Sequence, residues 1–246
     1  MQATGSNVPQ SAYRLSIHVL VDGFSVSVDD LALGRVWQEQ RAWNAPGPQG
    51  RADALRSVLT DAHVSGKDYT RVEVVSHAPS TYVPVELFRR SDMASIYRLT
   101  FCNVRAGNAD IRHRILPGMD VVEVFSVPHP IAQAVVALYP QVEMMGRAGQ
   151  VVEQAAHRTR TLPATGARMH VQVDGGEMHV CLMDGAQLRF ACAYQASNDA
   201  DRLYYLMAAW RTLGLDALAT PCLLSGKADS LKEELMNYIM NVETCA

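Results

Sequence analysis

The chain has 246 residues, 48% hydrophobic and 19% charged, with a net charge of −3. That length suits one large globular domain or two small ones, and the mild negative charge excludes the basic footprint of a nucleic-acid binder. No run of 18 apolar residues is present to span a membrane, and the first residues lack the basic start and apolar core of a secretory signal. Five scattered cysteines, an odd number, fit a reducing cytoplasm.

Residues 1–12 read as a disordered N-terminus. Leu15, Ile17, Val19 and Val21 then share one face of a strand, and Asp22-Gly23 turns it into a second strand carrying Phe24, Val26 and Val28. A third strand is predicted near 33–43, a helix over 50–64 with Leu55, Val58, Leu59 and Ala62 on one face, a strand over 72–76 and a second helix over 85–99. A hairpin of 111–116 with 121–127 turns through Pro117-Gly118. Helices are expected over 130–139 and near 149–158, and 161–166 reads as a linker.

The remainder forms a three-stranded antiparallel meander over 168–194, turning at Asp174-Gly175-Gly176 and Asp184-Gly185. Leu203, Leu206, Met207, Trp210 and Leu213 recur at helical spacing, with Asn198 or Asp199 as cap and Gly214 at the C-terminal end. A strand over 221–224 leads to Ser225-Gly226. The last helix is predicted to open on a Ser230/Glu233 capping box and to bury Leu231, Leu235, Tyr238 and Val242.

An internal repeat organises these elements. His18, Asp22 and Gly23 recur as His170, Asp174 and Gly175, each 152 residues later. Both halves run strand, strand, strand, helix, strand, helix. The predicted division is a first half over 13–140 with a small insertion within 77–110, a connecting segment over 141–166, and a second half over 167–246.

Two such units in tandem resemble the actin-like ATPase superfamily, with two ribonuclease-H-like halves in an α/β fold. The likeness rests on Ser16-Ile17 through Asp22-Gly23-Phe24-Ser25, Thr81-Tyr82-Val83-Pro84 through Phe88, and Asp201 through Gly226 with its Tyr204-Tyr205 pair. The chain most resembles a bacterial family of unknown function with that fold, related to actin-like pilus-assembly and division proteins. The resemblance implies a nucleotide cleft, with ATP and Mg²⁺ as its cofactors. Its phosphate turns would be Asp22, Gly23 and Ser25 in the first half and Asp174, Gly175 and Gly176 in the second, with Ser225, Gly226 and Lys227 beside adenosine. The physics is a strand-end carboxylate orienting Mg²⁺ and glycines letting backbone N–H groups approach phosphate.

The sequence also departs from that pattern. Phe24 follows Asp22-Gly23 directly, the adenosine turn has one glycine, and 246 residues leave little room for cleft-closing insertions. Asp-Gly is ordinary turn chemistry too. The resulting expectation is a cytoplasmic, non-hydrolysing binding or scaffolding protein with a degenerate nucleotide cleft, a protein partner, no nucleic acid and no membrane span. The alternative is an active ATP- and Mg²⁺-dependent ATPase or kinase. A ribonuclease-H-like nuclease would need clustered carboxylates for two metals, and Asp22, Asp29 and Asp30 lack a clear late-strand acid. His18 and His170 read as hydrogen-bonded or solvated strand histidines. Cys181, Cys192 and Cys222 read as small buried hydrophobes. The basic residues Arg105, Arg112, His113 and Arg114, and Arg147, His157, Arg158, Arg160 and Arg168, read as solvated faces.

Overall fold

The computed structural model describes residues 12–44, 47–102, 108–163 and 166–245. The expected disordered tail (save residue 12), Arg105, and residues 164 and 165 of the expected linker lie outside the described residues.

In chain order the elements are β1 (Tyr13–Val19), β2 (Gly23–Asp30), β3 (Gly34–Ala42), α1 (Gly47–Leu59), β4 (Tyr69–Ser76) and β5 (Ser80–Pro84). A 3-10 turn at Val85–Leu87 precedes α2 (Met93–Thr100), β6 (Ala109–Leu116), β7 (Val121–Pro128), α3 (His129–Leu138), β8 (Glu143–Gly146) and α4 (Arg147–Thr161). Then come β9 (Ala167–Asp174), β10 (Glu177–Asp184), β11 (Gln187–Gln195), α5 (Asp199–Thr212), β12 (Cys222–Gly226), α6 (Asp229–Leu235) and β13 (Val242–Thr244). The chain divides into two compact units. One takes the chain up to Ala78, Phe101–Arg112 and Phe125–Gly146; the other takes Pro79–Thr100, His113–Val124 and Arg147 onward.

The first unit is built on a five-stranded sheet of order β3-β2-β1-β4-β8. The meander β1-β2-β3 is antiparallel, and β4 and β8 continue it in parallel from β1. Leu15, Ile17 and Val19 of β1 and Phe24, Val26 and Val28 of β2 pack against Leu55, Val58 and Leu59 of α1 and Ile131 and Val135 of α3. Alternation along each strand puts these side chains on one face.

The second unit repeats this topology, with sheet order β11-β10-β9-β12-β13. Met169, Val171, Val173, Met178 and Val180 pack against Leu206 and Trp210 of α5 and Leu231 and Leu235 of α6. The opposite face of β10 carries Cys181 and Met183, which α4 covers with Val152, Ala155 and Ala156. A further three-stranded sheet has the order β5-β7-β6.

Several elements differ from their sequence prediction. The predicted helix over 85–99 is a 3-10 turn and the shorter α2, because the backbone turns extended at Phe88 (ψ 128°) and ends the first turn before a helix can continue. The helix linking β4 to the fifth strand of its sheet is α3. Each five-stranded sheet has a fifth strand, β8 in one and β13 in the other, that the sequence pattern did not show. Helix α6 ends at Leu235, so Tyr238 is 54% exposed and Val242 pairs with Cys222 in β13. The capping box is absent: no side chain caps α6, and the Ser230 hydroxyl donates to Asp199. At α5, Asn198 is the cap, accepting from the Asp201 N–H at 2.8 Å, and Gly214 follows with φ +65°.

Candidate functional site

The first predicted turn is built differently from its sequence reading. Val19 stands opposite Phe24, so the loop is Leu20 to Gly23, and Gly23 already belongs to β2. Its φ lies outside the left-handed region. A Cβ at Gly23 would lie 2.3 Å from the Arg41 carbonyl oxygen, so β3 itself demands the glycine. Asp22 is exposed, and its carbonyl accepts from the Trp43 N–H at 2.8 Å. Phe24 turns into the core and packs on Trp43, while Ser25 faces the other way, paired with His18. His18 Nδ1 meets His77 Nε2 at 3.2 Å, a hydrogen-bonded pair.

The second turn is a tight hairpin. Asp174 pairs with Glu177, leaving Gly175 and Gly176 as the turn. Gly175 has φ +60°, and only the first turn residue is left-handed, the φ pattern of a type II′ turn. Gly176 has neither positive φ nor any atom within 4 Å of where its Cβ would be. Gly226 has φ +78°, and its Cβ would lie 2.0 Å from the Val173 carbonyl oxygen. Lys227 donates its N–H to that carbonyl, and the Ser225 hydroxyl reaches Gln172 Oε1 at 2.7 Å. Because β9 and β12 are parallel neighbours, Asp174, Gly175, Gly176, Ser225, Gly226 and Lys227 gather at their carboxyl ends. Asp22, Gly23 and Ser25 share one hairpin of the first unit.

Two arginines that sequence reasoning did not place at the turn hold it. Arg147, the first residue of α4, reaches Asp174 Oδ2 at 3.3 Å. Arg202 donates to the Gly175 carbonyl at 2.7 Å, to the Ala196 carbonyl at 3.1 Å and to Asp199 at 2.7 Å. Asp199 is held below the usual carboxylate range, first by the Ser230 hydroxyl and then by Arg202. The Arg147–Asp174 and Arg202–Gly175 contacts each join residues 27 apart, so no local pattern announces them.

The start of α4 is fixed by a buried carboxylate, also missed. Glu123 is fully buried and accepts from the Gly149 N–H and the Ser80 hydroxyl, both at 2.9 Å. Arg114 lies 3.4 Å away and also bonds Glu153 at 2.7 Å. Burial pushes the Glu123 carboxyl up despite these partners. A Cβ at Gly149 would come within 2.0 Å of the Glu123 carboxylate. The glycine at the start of α4 was the one available signal, since a residue without a side chain is what lets another group approach the backbone this closely.

The remaining candidates resolve into structural roles. Asp29 is tied to Arg14 and Arg35 at 3.1 and 3.0 Å. Asp30 accepts from the N–H groups of Ala32 and Leu33, so these acids serve β2 and its turn. His170 is buried, with Nε2 at 2.8 Å from Thr159 Oγ1. Burial, then Arg158 and Arg168, push its pKa down to about 4. Burial pushes the Cys181 and Cys222 thiols up to about 12, as for small core hydrophobes; the half-buried Cys192 thiol is also raised. Arg160 and Arg168 are not simply solvated: they donate to the carbonyls of Pro117 and Pro163.

A family profile described as "Protein of unknown function (DUF3822)" matches residues 4–242. The chain belongs to this family. Among solved structures, this DUF3822 chain is similar to a Bacteroides thetaiotaomicron protein with actin-like ATPase fold and unknown function. The TM-score is 0.81 at 20% identity, over 96% of this chain and 91% of that one. It is also similar to a chain of the PilM–PilN type IV pilus biogenesis complex, with a TM-score of 0.52 at 12% identity over 94% and 88% of the two chains. The fold is therefore the actin-like ATPase fold, with two ribonuclease-H-like halves. A search of the curated proteins finds no match. No helix among the described residues is long and apolar enough to cross a membrane.

Proposed function

We propose that this DUF3822 protein is a cytoplasmic, non-hydrolysing binding or scaffolding module whose nucleotide site is degenerate. The carrying observation is the Arg147–Asp174 ion pair. The carboxylate that would orient Mg²⁺ already has a cationic partner from its own chain. Gly23 and Gly226 support the same reading, since the carbonyls of neighbouring strands already require these glycines and no phosphate is needed to explain them. On this reading the residues do not fit the metal-bound nucleotide that the fold name suggests, and no chemical step is assigned to them. A protein partner is the natural counterpart of such a module, and the PilM–PilN complex is a case of a similarly folded chain in a protein assembly.

One observation favours the alternative of an active ATP- and Mg²⁺-dependent ATPase or kinase. Gly176 is required neither by its φ nor by its neighbours, so its missing side chain leaves room for an approaching ligand. Thermal unfolding with and without millimolar ATP and Mg²⁺ decides between the two readings. A ligand at a hundred times its Kd adds about 2.7 kcal/mol, or roughly 5–10 °C for a chain of this size. The scaffold reading expects a shift below about 1 °C, small against that scale, and no phosphate release. A shift of the larger size that disappears in Asp174→Ala overturns it.

A further inference from the structure

Resting on that reading, we infer that Arg147 is a built-in replacement for a divalent cation at Asp174, which keeps the glycine turn of the second unit closed to metal-bound nucleotide. The guanidinium lies 3.3 Å from Asp174 Oδ2, and the Arg147 side chain is only 14% exposed against 53% for Asp174. Its Nε is buried without an acceptor among the described residues. A guanidinium this withdrawn from water depends on the charge it faces, and Asp174 supplies it.

The arginine is also held in place. Two residues further along, the Gly149 N–H is bonded to the buried Glu123 carboxylate, and the glycine permits that approach. Glu123 is in turn fixed by Ser80 and Arg114. On the far side of the turn, Arg202 fixes the Gly175 carbonyl. The Asp174 turn is thus fastened by one guanidinium through its carboxylate and by another through its backbone. A divalent ion at Asp174 would meet the Arg147 charge at contact distance, or would have to expel a side chain whose backbone is pinned. Like charges so placed repel, and the guanidinium, only 14% exposed, has little water to screen it.

The test is Arg147→Met, which keeps the apolar stem and removes the charge. Unfolding temperature and calorimetric titration are measured with MnCl₂ and ATP together and with each alone. The wild type is expected to stay within about 1 °C, and Arg147→Met to gain about 5 °C or more with MnCl₂ and ATP together. The gain should vanish when Asp174→Asn is added, and Arg147→Lys should behave as wild type. If Arg147→Met does not fold, Arg147→Gln takes its place, since it removes the charge but keeps a donor for Asp174. A folded, uncharged variant without the gain overturns the inference while leaving the scaffold reading intact, and so does an equal gain in Arg147→Lys. A wild-type shift overturns the scaffold reading and the inference together.

Discussion

The two hairpins that carry Asp22-Gly23 and Asp174-Gly175 share a dipeptide, a 152-residue offset and a place in the same topology, yet their glycines exist for different reasons. In the first, Gly23 has ordinary backbone geometry and yields space to the Arg41 carbonyl of β3. In the second, Gly175 supplies a left-handed φ to a two-residue turn, with nothing near its absent side chain. The equivalent histidines differ as well: His18 meets His77, whereas His170 is buried on Thr159. A repeated motif therefore marks repeated topology, and each residue in it still takes its meaning from its own neighbours.

Substitution by alanine breaks this comparison most strongly where backbone fills the space. In Gly23→Ala and Gly226→Ala the new Cβ would overlap a carbonyl at 2.3 and 2.0 Å, distances that strands must separate to relieve. Each is expected to lose about 3 kcal/mol or more, read from urea unfolding. Gly226→Ala should be the worse, because its φ of +78° adds backbone strain to the overlap. A loss below about 1 kcal/mol, the low end of the cost of left-handed strain alone, would show that neither glycine is held by packing.

The histidines give the next largest effect. His170 has its folded pKa pushed down to about 4 from 6.5. The unfolded chain therefore binds the extra proton between those values, and stability rises with pH there. That contribution is complete above pH 6.5 and is lost as pH falls toward 4. Near pH 4.5 the loss amounts to roughly 2–3 kcal/mol. His170→Gln keeps a donor for Thr159 and removes the titration. Its unfolding free energy should fall less than that of the wild type between pH 7 and 4.5 by about that amount. Parallel acid profiles would show that the burial of His170 does not govern its charge.

Much of the fold was legible because long alternating strands and their turns announce themselves. Met169, Val171 and Val173 face one core, and Asp174-Gly175 marks the reversal. What escaped was short or non-local. β13 has three residues and β8 four, too few to show a period, and both strands are fixed by pairing to a parallel neighbour. Tyr238 and Val242 continue the helical spacing of α6, but the open edge of β12 takes Val242 into the sheet. Ser230 and Glu233 have capping-box spacing, but Asp199, on another helix, attracts the hydroxyl. At the candidate site the glycines and carboxylates were visible. Arg147, Arg202 and Glu123 were not, since tertiary packing alone brings them to the turn and to the start of α4.

The smallest stability effects sharpen the comparison at the second turn itself. Gly175→Ala places a side chain at φ +60° with open space around it, so the cost is strain alone, roughly 1–2 kcal/mol. Gly176→Ala meets neither strain nor neighbour, and its unfolded chain is less free. Its unfolding free energy should stay within about 0.5 kcal/mol of wild type or rise slightly. That near-neutrality makes the variant informative about ligands, because any lost interaction with an added phosphate compound would come from blocked approach and not from damage to the fold. Under the scaffold reading, the wild type and Gly176→Ala show the same unfolding temperature with and without ATP and Mg²⁺. If the wild type shifts and Gly176→Ala does not, the open space at Gly176 belongs to a nucleotide, and the second hairpin differs from the first in function as well as in geometry.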